Sequence, residues 1–316
     1  MRGEWAAEVT ARAKAHWTPE RVARLSRGKT LLLPPVAAAP LLRAMSLLAR
    51  DGSMPPDRVR KYLQINHMVA VLGPSLRELR AEKKKVRLID AACGRSYLSL
   101  LLAWCFRELW QHPVEVLGID RNADLIARCR RDAELACLDD VVKHEASILE
   151  GVDVRAAWSR AFGAEEPIDG VLALHACDTA TDDAITLGVS LGARLCAVAP
   201  CCHAELARAW AELAETGSES AFAPIFATPH LRREAAATIT DTMRSLLLRA
   251  AGYEVWSLEF VPSEHTPKNT LIRAMRRDAP NAAALAEYRA LERVTGGRGI
   301  GLAARISVLD GHFAGR

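Results

Sequence analysis

The stretch from Val86 to Leu98, VRLIDAACGRSYL, limits the possible folds more than any other. A short apolar run (Val86, Leu88, Ile89) has the length of a buried strand and is closed by an acid, Asp90. Small residues follow (Ala91, Ala92, Cys93, Gly94), and helical apolar spacing begins at Tyr97. Further on, VEVLGID repeats the strand and again ends on an acid, Asp120. The two outline a βαβ unit with a carboxylate at each strand end.

The same alternation continues. Strands are expected at 86–91, 114–120, 140–144, 170–176 and 194–200, with helices at 97–109, 123–136, 181–191 and 204–215. Strand and helix at this interval predict a parallel sheet with helices on its faces. A helix over 234–250 then precedes GYEVWSLEFV and NTLIRAMR, two strands joined by 262–268. That connection is too short for a crossover helix, so these two strands must run antiparallel.

Ahead of the sheet, residues 1–82 read as a helical domain: one helix over 4–25, a break at Pro34 and Pro35, another over 39–48, and a third introduced by Pro55-Pro56-Asp57. Gly73-Pro74-Ser75 is expected to restart a short helix ending in Lys83-Lys84-Lys85. The sheet domain is expected over 83–277, and a C-terminal helix and extension over 278–316. The glycine-rich TGGRGIG at 295–301 has no strand leading in and no Gly-Lys-Ser/Thr, so it is not a phosphate loop.

Half the residues are hydrophobic and a quarter charged, which suits a folded protein with a sizeable core. The apolar stretch 30–42 holds three prolines and is shorter than the ~20 residues of a membrane helix. No signal core is visible. The eight cysteines fall on expected strands, helices and strand ends, with no CxxC pair. Reduced thiols in a cytoplasm are therefore expected, with no membrane association and no structural zinc. Net charge is only +4, yet residues 57–87 carry nine Lys and Arg against three Asp and Glu. Such a segment could meet RNA phosphates or be a solvated helical face.

Three features of the turn select its ligand. A pyrophosphate loop uses three glycines, whereas this turn has Gly94 alone. Asp90 would repel a diphosphate and welcome a ligand bearing an ammonium and a sulfonium. Asp120 is placed to accept hydrogen bonds from two ribose hydroxyls. S-adenosylmethionine meets these demands better than a nicotinamide cofactor does.

The segment Asp90-Ala-Ala-Cys-Gly-Arg-Ser-Tyr-Leu-Ser resembles the first motif of class I S-adenosylmethionine-dependent methyltransferases, Asp-x-Gly-x-Gly-x-Gly, with Ala92 and Ser96 at two glycine positions. The resemblance implies a Rossmann-like, seven-stranded α/β sheet, parallel with a final antiparallel hairpin, here preceded by the N-terminal helical domain. It implies S-adenosylmethionine as cofactor, S-adenosylhomocysteine as product, and Asp90, Ala92, Gly94 and Asp120 as cofactor contacts. The residue after the third strand contacts adenine in that family, which points to Ala146 or Ser147.

Two later segments, Leu174-His175-Ala176-Cys177-Asp178-Thr179-Ala180-Thr181-Asp182 and Pro200-Cys201-Cys202-His203, are similar to a subset of the family. That subset includes tRNA 2′-O-methyltransferases of the acceptor stem and related methyltransferase-like proteins. Glu264-His265-Thr266-Pro267-Lys268-Asn269 is similar to a segment of its bacterial members. With strand order 3-2-1-4-5 the two strand ends would be neighbours. A histidine titrating near neutrality can take the proton of a hydroxyl nucleophile, which makes His175 and His203 candidates, and His175 a cofactor contact as well. A thiol beside a base can act as a nucleophile, which adds Cys202. Asp178 and Asp182 would orient the acceptor or cap the next helix. Adjacent cysteines seldom converge on one tetrahedral ion, so no metal is expected. No Asp/Asn-Pro-Pro-Tyr/Phe segment follows the fourth strand, which tilts the acceptor away from an exocyclic amine.

These readings converge on an S-adenosylmethionine-dependent methyltransferase acting on RNA. The rivals are a methyltransferase acting on a small molecule or protein, and a non-catalytic S-adenosylmethionine-binding RNA or assembly module.

Overall fold

The structure, a computed structural model, describes residues 2–28, 30–174, 176, 179–200, 203–259, 270–277 and 280–306. The chain divides into compact units over 1–166 and 167–316.

In the first unit, α1 (Arg2–His16), α2 (Pro19–Ser26), α3 (Ala39–Ala44) and α4 (Pro56–Glu82) precede β1 (Val86–Ala91). Then come α5 (Tyr97–Trp104) with a π-turn over Cys105–Leu109, β2 (Val114–Asp120), α6 (Ala123–Leu135), β3 (Val142–Ala146) and α7 (Val154–Phe162). β1 pairs with β2 and β2 with β3, both parallel. The helix expected over 4–25 is two helices. Thr18 caps the second by accepting the Arg21 N–H, and Pro19, with no N–H to satisfy, occupies its first position. The break expected at Gly73-Pro74-Ser75 does not occur, and α4 runs through Pro74. Leu72, Leu76 and Leu79 are fully buried on both sides of the proline, so packing outweighs one missing hydrogen bond. The third strand starts two residues later than expected because the N–H groups of Val141 and Val142 both turn back to Leu138 O. Tyr62 Oη donates to Leu33 O at 2.5 Å and Asn66 Oδ1 accepts the Leu33 N–H at 3.0 Å, tying the segment before α3 to α4.

The second unit holds β4 (Gly170–Ala173), α8 (Thr179–Ser190), β5 (Leu195–Val198), α9 (Ala204–Thr216), α10 (Ala223–Ala227), α11 (Pro229–Ala250), β6 (Tyr253–Glu259), β7 (Thr270–Arg276), α12 (Ala282–Val294) and α13 (Leu302–Arg305). β4 and β5 pair in parallel, while β7 runs antiparallel to both β5 and β6. The short connection thus has the consequence expected of it. Every residue of β4 and β5 is buried, as strands covered on both faces require. Both strands stop short of their expected ends. Among the described residues no helix is long and apolar enough to cross a membrane.

Candidate active site

Two polar clusters stand past the carboxyl ends of parallel strands, one in each unit. The first is the turn after β1. Ala92, Gly94 and Ser96 all have positive φ, at 54°, 55° and 55°. The backbone therefore takes the left-handed form at each of the three positions where the resembling motif has glycine, although only one glycine is present. For the alanine and the serine this costs about 1–2 kcal/mol each. Hydrogen bonds hold the turn in that shape. Cys93 N–H donates to Ile119 O at 3.0 Å, Ser96 N–H to Cys93 O at 2.8 Å, and Gly94 N–H to Asp120 Oδ2 at 3.0 Å.

Asp120 gathers the strand ends. Its other carboxylate oxygen accepts Asn122 N–H at 3.0 Å, and its carbonyl accepts Ser147 N–H at 3.0 Å. Each carboxylate oxygen keeps a lone pair beyond the bond it has formed. Asp90, Ala92, Gly94, Asp120 and Ser147, the expected cofactor residues of this unit, are thus brought together. Asp90 does not open onto the turn as a free charge. It is buried, accepts Ser99 Oγ–H at 2.6 Å, and burial pushes its carboxyl up to about 7, with Asp120 adding to the rise. A Cβ built on Gly94 would meet nothing within 4 Å, so the turn has open space on that side.

Sequence reasoning missed His144, on β3. It is buried, its Nε2 lies 2.7 Å from Ser96 Oγ, and its Nδ1 has no partner. Burial, helped by Arg130, pulls its pKa down to about 4, so the ring is neutral at pH 7. Ser96, which stands at the N-cap of α5, spends its hydroxyl on this histidine and caps no helix N–H.

In the second unit His203, just past β5, is buried and its Nε2 lies 2.8 Å from Asp241 Oδ1 on α11. The same oxygen accepts Arg244 Nη1–H at 3.2 Å, and Arg244 Nε–H donates to Asp182 Oδ1 at 2.8 Å. Burial works against the Arg244 charge, but Asp182 and Asp241 outweigh it and hold its pKa above the ordinary arginine value. Asp182, expected to orient an acceptor or cap a helix, instead anchors this arginine. With Nε2–H committed to Asp241, the free lone pair of a neutral His203 is on Nδ1, which is buried and has no partner among the described residues. Sequence reasoning missed Asp241 and Arg244 too. Their signal was present: both fall among Thr240, Met243 and Leu247, all buried. His203, Asp241, Thr238, Thr242, Ser245 and Ser257 border a cleft of about 310 Å³. Among its described lining residues there are two carboxylates, Glu234 and Asp241, and no Lys or Arg. His175, Asp178 and Cys202, the other expected catalytic residues, lie outside the described residues, as do Cys177, Cys201 and 264–269.

The basic segment 57–87 is largely occupied. Arg58 pairs with Asp57 and donates to Ser46 O, Arg80 lies over the Trp110 ring, and Lys85 and Arg87 both meet Glu115. Arg60, Arg77 and Lys84 stay exposed. A separate groove of about 620 Å³ is lined by Arg12, His16, Arg21, Arg50 and Asp51.

Residues 60–209 match a family model described as a methyltransferase domain. No curated protein sequence matches the chain. Among solved structures the chain is similar to the METTL16 methyltransferase domain (14% identity, 82% of this chain and 80% of that one, TM-score 0.40). It is also similar to S-adenosylhomocysteine-bound PaMTH1 of Podospora anserina (13%, 83% and 97%, 0.40). A third likeness is a geranyl diphosphate methyltransferase bound to its substrate and sinefungin (14%, 86% and 99%, 0.38). Likenesses this distant say nothing about the acceptor. The matched span, just under half of the chain, runs from α4 through the turn after β1 into α9 and supports an S-adenosylmethionine-dependent methyltransferase.

Proposed function

We propose that this methyltransferase acts on a hydroxyl group carried by RNA, with His203 as the base. One observation carries the reading: the chain His203–Asp241–Arg244–Asp182, whose carboxylate fixes Nε2–H and leaves Nδ1 as the proton acceptor. S-adenosylmethionine supplies the electrophilic methyl group. Asp120 accepts hydrogen bonds from the ribose hydroxyls, and the open side of Gly94 leaves the ligand room to approach the backbone. The acceptor hydroxyl would give its proton to His203 Nδ1 as its oxygen bonds to the methyl carbon and the carbon–sulfur bond breaks, with S-adenosylhomocysteine as the leaving group. Asp241 stabilises the imidazolium that forms. Ser147 is proposed beside the adenine, and His175, Asp178 and Cys202 on the acceptor side, from motif position alone.

RNA as the carrier is supported by the groove of Arg12, His16, Arg21 and Arg50 and by the exposed Arg60, Arg77 and Lys84. The resemblance to tRNA 2′-O-methyltransferases points the same way. One observation favours a small-molecule acceptor instead: the cleft beside His203 is lined by hydroxyls and carboxylates, which suit an uncharged polar ligand better than a phosphodiester.

The test supplies tritiated S-adenosylmethionine with total RNA, lysate protein and a small-molecule extract. Label should enter RNA, and RNA binding should weaken steeply with salt as phosphate contacts require. His203→Ala should leave S-adenosylhomocysteine binding intact in calorimetry and lower transfer by about 10²-fold. Unchanged transfer removes His203 from the mechanism. Label in the small-molecule extract alone selects the second reading, and binding without transfer to any fraction selects a non-catalytic module.

A further inference from the structure

We infer that Lys61 and Arg95 form the subsite for the α-carboxylate of S-adenosylmethionine, the one anionic group of that cofactor. The inference rests on the cofactor reading above.

Both cations converge on one aromatic ring. Lys61 Nζ lies 3.9 Å from the centroid of the Tyr97 ring, and Arg95 Cζ lies 5.2 Å from the same centroid. An aromatic face attracts a cation, but by only about 0.5–1 kcal/mol at exposed sites. Two like charges drawn to one ring also repel each other. An arrangement of this kind calls for an anion in contact with both cations, and no described acid makes such a contact. Lys61 and Arg95 appear in no ion pair with a described acid, and Asp132, which feels the Arg95 charge, forms none with it. Arg95 Nε is buried with no acceptor among the described residues. A buried donor left unsatisfied costs about 1–3 kcal/mol, and a ligand oxygen would recover that.

Position and chemistry agree. Arg95 directly follows Gly94, on whose open side there is space for a ligand, and Tyr97 begins α5. The remaining groups of the cofactor are cationic or neutral: an ammonium, a sulfonium, ribose hydroxyls and adenine. Asp120 answers the hydroxyls and cannot answer a carboxylate. A guanidinium and an ammonium are the natural partners of that group. The family match begins at residue 60, so Lys61 lies at the start of the matched span although its helix precedes the sheet.

The test is a binding cycle on the full chain that needs no acceptor. S-adenosylmethionine and decarboxylated S-adenosylmethionine, which lacks only the carboxylate, are titrated calorimetrically into wild type, Lys61→Met, Arg95→Met and Lys61→Arg. Wild type should bind the decarboxylated compound at least tenfold more weakly. Lys61→Met and Arg95→Met should each weaken S-adenosylmethionine by about tenfold, as expected for loss of one charge-assisted contact. Both should leave the decarboxylated compound within twofold of wild type, and Lys61→Arg should recover most of the affinity. Equal losses for both ligands, or no loss for either, overturn the subsite while leaving the cofactor reading standing. A lysine variant that weakens RNA binding and not cofactor binding makes Lys61 a phosphate contact and likewise overturns it. Failure of wild type to bind S-adenosylmethionine at all overturns the cofactor reading and the subsite with it.

Discussion

The two units bury ionisable groups in opposite ways. Around the turn after β1, single groups are paired with neutral hydroxyls, Asp90 with Ser99 and His144 with Ser96. With no opposite charge at hand, their pKa values move toward the uncharged form, up for the acid and down for the imidazole. Around His203, charge is met by charge, with Arg244 bonded to Asp182 and Asp241 and kept ionised. The first arrangement keeps buried groups near neutrality, and the second holds a fixed field of opposite charges. The proposed roles, cofactor binding in the first and proton transfer in the second, call for these different solutions.

The largest effect should come from breaking the charged chain. Arg244→Leu leaves the buried Asp182 and the half-buried Asp241 without their cation, and the expected loss is about 3–5 kcal/mol in denaturant unfolding at pH 7. A loss below about 1 kcal/mol would mean that packing, not pairing, holds this cluster.

A smaller and pH-dependent effect should follow from Asp90→Asn. The native pKa of Asp90, about 7, lies above the ordinary aspartate value of 3.8. Its contribution to stability is therefore complete below pH 3.8 and is lost as pH rises through 7. The variant should gain about 1–2 kcal/mol over wild type at pH 8 and little at pH 4, read as the difference in melting temperature. His144 runs the other way: its native pKa is depressed, so the stability it gives above pH 6.5 is lost as pH falls toward 4. A variant advantage that is the same at both pH values would remove the buried charge as its cause.

The smallest effect tests the strained backbone that the binding cluster tolerates. Ala92→Gly relieves a positive φ at a half-buried site, and a gain of about 0.5–1 kcal/mol is expected after allowing for the greater freedom of glycine in the unfolded chain. Destabilisation would show that the Ala92 methyl packs more usefully than its φ suggests.

What the sequence discloses follows from how local each signal is. The strand ending at Asp90, the strand ending at Asp120 and the final hairpin are legible because apolar run, terminal acid and loop length lie within a few residues. Thr18-Pro19 carried a helix start in plain view, and apolar spacing on both sides concealed it. Pro74 was legible as a breaker, but the burial that overrules it depends on residues distant in the chain. The same holds in the clusters. That Asp90 matters can be read from its place after a strand, but its burial against Ser99 cannot. His144–Ser96 spans 48 residues and Arg244–Asp182 spans 62, and no periodicity reports such pairings.

Gly118, on β2, illustrates how little room the first cluster leaves. A Cβ there would stand 3.0 Å from His144 Cδ2 and 3.1 Å from Cys93 Sγ. Even one methyl would require the imidazole, which Ser96 holds, and the thiol to give by a few tenths of an ångström. The shape of the turn after β1 is therefore set in part by the neighbouring strand, at a position whose missing side chain is what leaves the turn its room.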